Sequence, residues 1–129
     1  MERRALEDLV TGFTDAFNRD DLDGMLSFFA DDGVYVEFNG RRHEGRAAIR
    51  EAFAAQFRGD FGAVRFHEED LFVDPEAGKA TIRWTCSLDS PGRSGAWQGL
   101  DVIHVRDGRI SEKLTYARAE KPLMSKPGA

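Results

Sequence analysis

Cysteine, clustered basic residues and long apolar runs are what this sequence lacks. Cys86 is the only cysteine among 129 residues, which excludes an internal disulfide and favours a reducing compartment. The N-terminal stretch is charged and lacks the apolar run of a signal peptide. No stretch approaches the length of a membrane span. We therefore expect a soluble, cytoplasmic protein with no membrane partner.

Charge and motifs exclude further classes of function. The formal net charge is −5, and the scattered lysines and arginines predict no nucleic-acid partner. The sequence contains no glycine-rich phosphate loop, no Gly-x-Ser-x-Gly elbow and no histidine pair at metal-ligand spacing. We therefore expect neither a cofactor nor a metal.

The hydrophobic pattern changes its period near Ala63. Apolar residues recur at helical spacing over residues 2–18, 21–29 and 46–58, and they alternate from Ala63 onward. Between the helices, Asn39-Gly40 indicates a hairpin, and Gly33 is expected to take a left-handed turn at the end of the second helix.

This order predicts an α+β fold: a cone-shaped, curved antiparallel sheet packed against three N-terminal helices. We expect residues 1–120 to form a single domain and residues 121–129 to form an extended tail. A curved sheet covered by helices encloses a space that suits a small molecule.

The stretch 95–105 reads as the central strand of that sheet. Because side chains alternate along a strand, Gln98, Leu100, Val102 and His104 share one face. We expect this face to point into the pocket, where the titratable His104 could do chemistry. The alternative is a core histidine bonded to a backbone carbonyl. The opposite face, with Trp97, Asp101 and Ile103, is expected to point away from the helices and to form a homodimer interface.

Several segments resemble the nuclear transport factor 2-like superfamily, in its SnoaL-like and ketosteroid isomerase-like branch. The segments are residues 16–32, Glu44-Gly-Arg-Ala-Ala-Ile49, Gly99-Leu-Asp-Val-Ile-His-Val105 and Asp107-Gly-Arg-Ile110. The resemblance covers about residues 5–119 and implies a cystatin-like fold. It places the general base of ketosteroid isomerases on Glu37, and their two oxyanion-hole positions on Phe13 and His104. It also implies a homodimer.

The resemblance implies a cofactor-independent small-molecule enzyme that abstracts a proton beside a carbonyl, in an isomerase, cyclase or hydratase step. Glu37 would be the base and His104 the hydrogen-bonding electrophile, with a small apolar or carbonyl-bearing ligand. The expected substrate-binding residues are Phe13, Tyr35, Asn39, Phe53, Trp84, Gln98, Leu100 and Val102. Two alternatives stay open: a non-catalytic ligand-binding module, and a dimerisation module with a filled cone. In either, Glu37 could be ordinary surface charge.

Overall fold

The computed structural model describes residues 1–118, so the expected tail over 121–129 lies outside the described residues. Within them lie three helices: α1 (Arg3–Asn18), α2 (Leu22–Ser27) and α3 (Arg46–Phe57). α1 and α3 match the predicted ranges to within a residue at each end. α2 is shorter than predicted, because Phe29 already belongs to the first strand. No helix among these residues is long and apolar enough to cross a membrane.

The strands form one six-stranded sheet in the order β2-β1-β6-β5-β4-β3. Their bounds are β1 (Phe29–Val36), β2 (Arg42–Glu44), β3 (Ala63–Asp74), β4 (Lys79–Ser90), β5 (Arg93–Arg106) and β6 (Arg109–Ala117). The four strands from Ala63 onward pair antiparallel, as predicted. The α+β fold of helices on a curved sheet is thereby confirmed.

One pairing departs from the predicted antiparallel sheet. β1 runs parallel to β6, with Tyr35 opposite Lys113, so the sheet is mixed. Parallel neighbours need a long connection between them. Here the chain passes through β2, α3 and three long strands before β6 pairs with β1. This contact brings the first strand and the last strand of the chain side by side.

Gly33 does not take the left-handed turn that the sequence suggested. It lies inside β1 and is absent from the positive-φ residues of the described chain. A Cβ at this position would come within 3.0 Å of the Ala30 carbonyl oxygen and of the Phe29 ring. Close packing of the backbone, rather than its conformation, is therefore the reason for glycine here.

The helices bury one apolar face each against the sheet. On α1 the buried face comprises Leu6, Leu9, Val10, Phe13, Ala16 and Phe17. The end of α1 is tied to β3, because the Asn18 side chain donates to the Phe66 carbonyl at 2.9 Å and accepts from the Phe66 N–H at 2.8 Å. Asp21 caps the N-terminus of α2, because its carboxylate accepts a hydrogen bond from the Gly24 N–H at 2.9 Å.

The predicted orientation of β5 is wrong. Its inward residues include Asp101, which is 7% exposed, and Ile103, which is 0% exposed. Leu100, Val102 and His104 are only half-buried and lie on the outer face of the sheet. The β4–β5 hairpin explains the orientation: Ser90 pairs with Arg93 across a two-residue loop, so Ile82 faces Asp101 and Trp84 faces Gly99.

Gly99 makes room for a tryptophan on the inner face. A Cβ at Gly99 would lie 2.5 Å from the Trp84 ring, so the indole crosses the strand at a residue without a side chain. The Trp84 N–H then reaches the carboxylate two residues further along, at Asp101. A glycine in β5 thus fixes the position of an aromatic ring from β4.

Candidate functional site

A cavity of about 380 Å³ lies between α1, α3 and the inner face of the sheet. Its walls are mainly aromatic, and the buried rings include Phe13, Phe17, Phe53 and Trp84. Cys86 also lines it, and burial raises the pKa of that thiol to about 11. This volume falls within the range of small-molecule pockets.

Polar atoms are concentrated at the deep end of the cavity. Lys113 Nζ lies 3.2 Å from Asp101 Oδ1, and it donates to the Thr115 hydroxyl oxygen at 2.7 Å. The Thr115 hydroxyl in turn donates to Asp101 Oδ1 at 2.6 Å. The Trp84 N–H donates to Asp101 Oδ2 at 3.2 Å. Both carboxylate oxygens of Asp101 are therefore hydrogen-bonded.

This ion pair is deeply buried: Asp101 is 7% and Lys113 is 5% exposed. Removing two charges from water costs several kcal/mol per ion, and their attraction offsets that cost only when the remaining polar atoms are also bonded. Here Thr115 and Trp84 supply those bonds. An apolar pocket in which a few polar groups converge is a candidate functional site.

Aromatic rings surround the ammonium group. Lys113 Nζ lies 4.5 Å from the centre of the Tyr35 ring, 5.6 Å from that of Phe53 and 5.9 Å from that of Phe17. Ring faces carry partial negative charge, so all three rings attract the ammonium group.

Tyr35 connects the two polar parts of the site. Burial raises the pKa of its hydroxyl above the usual range, and the carboxylates of Asp101 and Glu37 raise it further. The phenol therefore keeps its proton at neutral pH and can act as a hydrogen-bond donor.

Glu37 lines the cavity directly after β1. Its carboxylate Oε2 lies 2.7 Å from His43 Nε2 on β2. Its backbone belongs to a tight turn, in which the Glu37 N–H donates to the Arg41 carbonyl at 2.9 Å and the Glu37 carbonyl accepts from Gly40 at 2.8 Å. Asn39 stabilises the same turn by accepting a hydrogen bond from the Arg41 N–H at 3.0 Å.

The mouth of the cavity carries exposed aromatic side chains. Phe38, Phe61 and Trp97 all line the cavity and are 64%, 56% and 40% exposed. They come from the β1–β2 turn, the loop before β3, and β5. Large rings exposed around an opening are typical of a binding surface.

The structure divides the expected site residues into two groups. Five line the cavity: Phe13, Tyr35, Glu37, Phe53 and Trp84. The other five do not line it: Asn39, Gln98, Leu100, Val102 and His104. The idea that Glu37 and His104 share one cavity is therefore wrong. His104 lies on the outer face, with its Nε2 3.8 Å from Glu112 Oε1.

Sequence reasoning missed Asp101, Lys113 and Thr115. A signal for Asp101 existed: the even-numbered residues of β4 from Ala80 to Leu88 are apolar. A two-residue turn at Pro91-Gly92 pairs them with odd-numbered residues of β5. No comparable signal existed for Lys113. The β5–β6 register shifts between His104 and Val105, so simple alternation along β6 fails there.

Residues 1–118 contain no group of three or more metal-ligating side chains. The polar groups that line the cavity include a carboxylate, an ammonium bonded to a second carboxylate, a phenol, hydroxyls and an amide. These groups can accept a proton and can stabilise negative charge on an oxygen atom.

The raised pKa of Tyr35 gives a prediction for alkaline pH. The chain has two tyrosines, so in a Tyr116→Phe variant Tyr35 is the only phenol. We expect no phenolate absorbance at about pH 11 while circular dichroism shows the variant folded, and full absorbance after unfolding in urea, since an unfolded tyrosine ionises near pH 10. The contribution of the Tyr35 phenol to the free energy of unfolding is present below about pH 10. It is lost as the pH rises above that value. Phenolate absorbance from the folded variant at this pH would contradict the buried placement.

Comparisons with known proteins agree with this architecture. The family profile described as a SnoaL-like domain matches residues 10–113. No curated protein matches the chain. A provisionally assigned polyketide cyclase from Xanthomonas campestris pv. campestris is 26% identical, with a TM-score of 0.78 over 90% of this chain and 92% of that one.

Two further solved structures show the same fold. An NTF2-like protein of unknown function from Mesorhizobium loti is 26% identical, with a TM-score of 0.77 over 92% of this chain and 96% of that one. TerC, crystallised with polyporic acid, is 18% identical, with a TM-score of 0.76 over 88% of this chain and 92% of that one. The likeness to TerC shows the fold alone. Because the family profile spans most of the chain, this protein belongs to the SnoaL-like domain family.

Proposed function

We propose that this protein is a cofactor-independent enzyme that abstracts a proton beside the carbonyl of a small, largely apolar ligand. The reaction would be an isomerisation or a related cyclase or hydratase step. The observation that carries the proposal is the buried Asp101–Lys113 pair in an aromatic cavity, which a second carboxylate, that of Glu37, also lines.

Glu37 is the proposed base. When its carboxylate takes a proton from the carbon beside a carbonyl, the electron pair of that C–H bond moves onto the carbonyl oxygen as an enolate. The negative charge then needs stabilisation in a site where water is scarce. Tyr35 and Lys113 are the proposed donors to that oxygen, since one keeps its phenolic proton and the other carries positive charge 4.5 Å from the same ring.

The polar groups of the cavity differ in burial. The cross-strand neighbours Tyr35 and Lys113 are 7% and 5% exposed, while the Glu37 side chain is 22% exposed and is followed by the exposed Phe38. A ligand that entered with its carbonyl leading would bring the oxygen to Lys113 and leave the neighbouring carbon closer to Glu37. The aromatic walls would hold its apolar body.

One relative supports a ligand of this type. A 26% identical neighbour is provisionally assigned as a polyketide cyclase. Polyketides carry carbonyl groups, so a carbonyl-bearing ligand is the first class to test here.

A second candidate function is non-catalytic binding of such a ligand in the same cavity. One observation favours it: Lys113 already interacts with Asp101, Thr115 and the Tyr35 ring. An ammonium group satisfied in this way could stabilise the fold and hold a ligand without supporting turnover. The two functions differ in whether Glu37 is needed for chemistry.

Hydrogen–deuterium exchange tests the catalytic function. β-Tetralone in D₂O serves as the probe, with exchange beside its carbonyl followed by NMR. We expect the wild-type protein to accelerate exchange, and Glu37→Gln to lower that rate by about 100- to 10,000-fold, the usual contribution of a positioned general base. Binding of the probe should change little, as followed by quenching of Trp84 and Trp97, the two tryptophans of the chain, which both line the cavity.

Glu112→Gln is the matched control for this experiment. Glu112 is also half-buried beside a histidine, but on the outer face of the sheet, so its replacement should leave exchange unchanged. Exchange in Glu37→Gln at the wild-type rate would contradict the role of Glu37. Binding without any exchange in the wild-type protein would favour the binding module.

We also propose that the protein is a cytoplasmic homodimer, paired through the outer face of the sheet. The face predicted for this role, with Trp97, Asp101 and Ile103, instead faces inward. The outer face carries Phe72 and Tyr116, which are 67% and 58% exposed. Leu100, the strand partner of Tyr116, extends that apolar surface, and burying it would favour association.

Sedimentation equilibrium at micromolar concentration tests the dimer. We expect twice the chain mass of 14.5 kDa for the wild-type protein and the chain mass for Tyr116→Glu, because a carboxylate would be buried in the interface. The control is Phe61→Glu, at a similarly exposed ring beside the cavity mouth, which should remain dimeric. A wild-type monomer would exclude this proposal.

A further inference from the structure

The Glu37–His43 pair near the mouth of the cavity has a geometry that an ordinary surface pair lacks. His43 Nε2 lies 2.7 Å from Glu37 Oε2, and the side chains are 21% and 22% exposed. This distance is within the range of charge-assisted hydrogen bonds. The imidazole faces a carboxylate that lines the cavity.

The His43 ring is held in place by its neighbours. His43 pairs with Tyr35 across β1 and β2, and the two rings stack with centroids 5.6 Å apart and planes 23° apart. Tyr35 stacks in turn on Phe53 at 4.5 Å. The imidazole therefore forms the outer end of a three-ring stack and cannot rotate freely without losing that contact.

The Glu37 backbone is also held, by the tight turn that ends at Arg41. A glutamate side chain on a fixed backbone still has three torsions to settle, and an unbonded carboxylate near solvent samples many of them. One hydrogen bond from a fixed imidazole removes most of that freedom.

We infer that His43 is a positioning residue for Glu37. Its Nε2–H donates to Glu37 Oε2, which leaves Oε1 as the oxygen free to receive a proton in the cavity. This inference rests on the proposed function and deepens it: the working base is a carboxylate oriented by a histidine. Misplacing a reacting group by about 1 Å can cost about 100-fold in rate, so orientation of this carboxylate matters for turnover.

The outer face supplies a natural comparison. His104 and Glu112 are the same two residue types on neighbouring strands, but Nε2 and Oε1 are 3.8 Å apart, too far for a hydrogen bond. His104→Leu is therefore the matched control for His43→Leu.

The kinetic test uses the β-tetralone exchange assay with His43→Leu, His43→Gln and His104→Leu. We expect His43→Leu to lower kcat by about 10- to 100-fold with KM changed less than about 2-fold, because the base is misplaced while the ligand site is kept. His43→Gln retains an N–H donor and should recover most of the loss. His104→Leu should match the wild-type protein.

A spectroscopic test does not depend on turnover. A strongly hydrogen-bonded imidazole N–H gives a downfield proton resonance, which we expect in the wild-type spectrum and expect to vanish in Glu37→Ala. Wild-type kcat in His43→Leu, or a spectrum unaffected by Glu37→Ala, would overturn the inference. If the wild-type protein shows no exchange, the proposed function fails, and the pairing of His43 with Glu37 is decided by this resonance alone.

Discussion

A charged pair buried beneath an aromatic cavity is the constraint on which the rest of the structure depends. Asp101 and Lys113 are both almost inaccessible to water, so every polar atom around them must find a partner within the protein. Thr115 and Trp84 supply these partners. Trp84 can do so only because Gly99 has no side chain in the path of its ring.

The sheet places the chemistry by strand pairing. Tyr35 and Lys113 are neighbours across the parallel β1–β6 pair, and Asp101 and Thr115 are neighbours across the antiparallel β5–β6 pair. β6 is thus the strand that joins the phenol of β1 to the carboxylate of β5. The helices contribute the apolar roof, which keeps water away and strengthens each electrostatic contact below it.

The fold could be predicted from the sequence more fully than the site. The change of hydrophobic period near Ala63 correctly separates the helical part from the four long strands, because burial of one face imposes the period of the element. The direction of β1 could not be predicted, since no local pattern states which distant strand it joins. Phe13, Phe53 and Trp84 are both buried and part of the cavity wall. Their hydrophobicity was therefore sufficient to predict that they line the cavity.

The polar half of the site could not be predicted from burial patterns, because it violates them. Leu100 and Val102 are apolar and share one face of β5, which favoured the prediction that this face points inward. Asp101 faces inward instead, which its pairing with Lys113 makes tolerable. A shift of one residue exchanges the two faces of a strand. With the wrong face of β5 turned inward, His104 was predicted to point into the cavity in place of Asp101. The bulge near the β5–β6 turn also shifts the alternation of faces along β6, so simple alternation did not place Lys113 on the inner face.

A double-mutant cycle on the buried pair tests this account most directly. Unfolding in urea would be measured for Asp101→Asn, Lys113→Met and the double variant. We predict that each single change destabilises the protein by about 3–5 kcal/mol, because it leaves one buried charge without its partner. The double variant should lose clearly less than the sum of the two, since neither charge remains. Losses that simply add would show that the two charges do not interact, and would contradict the site described for this protein.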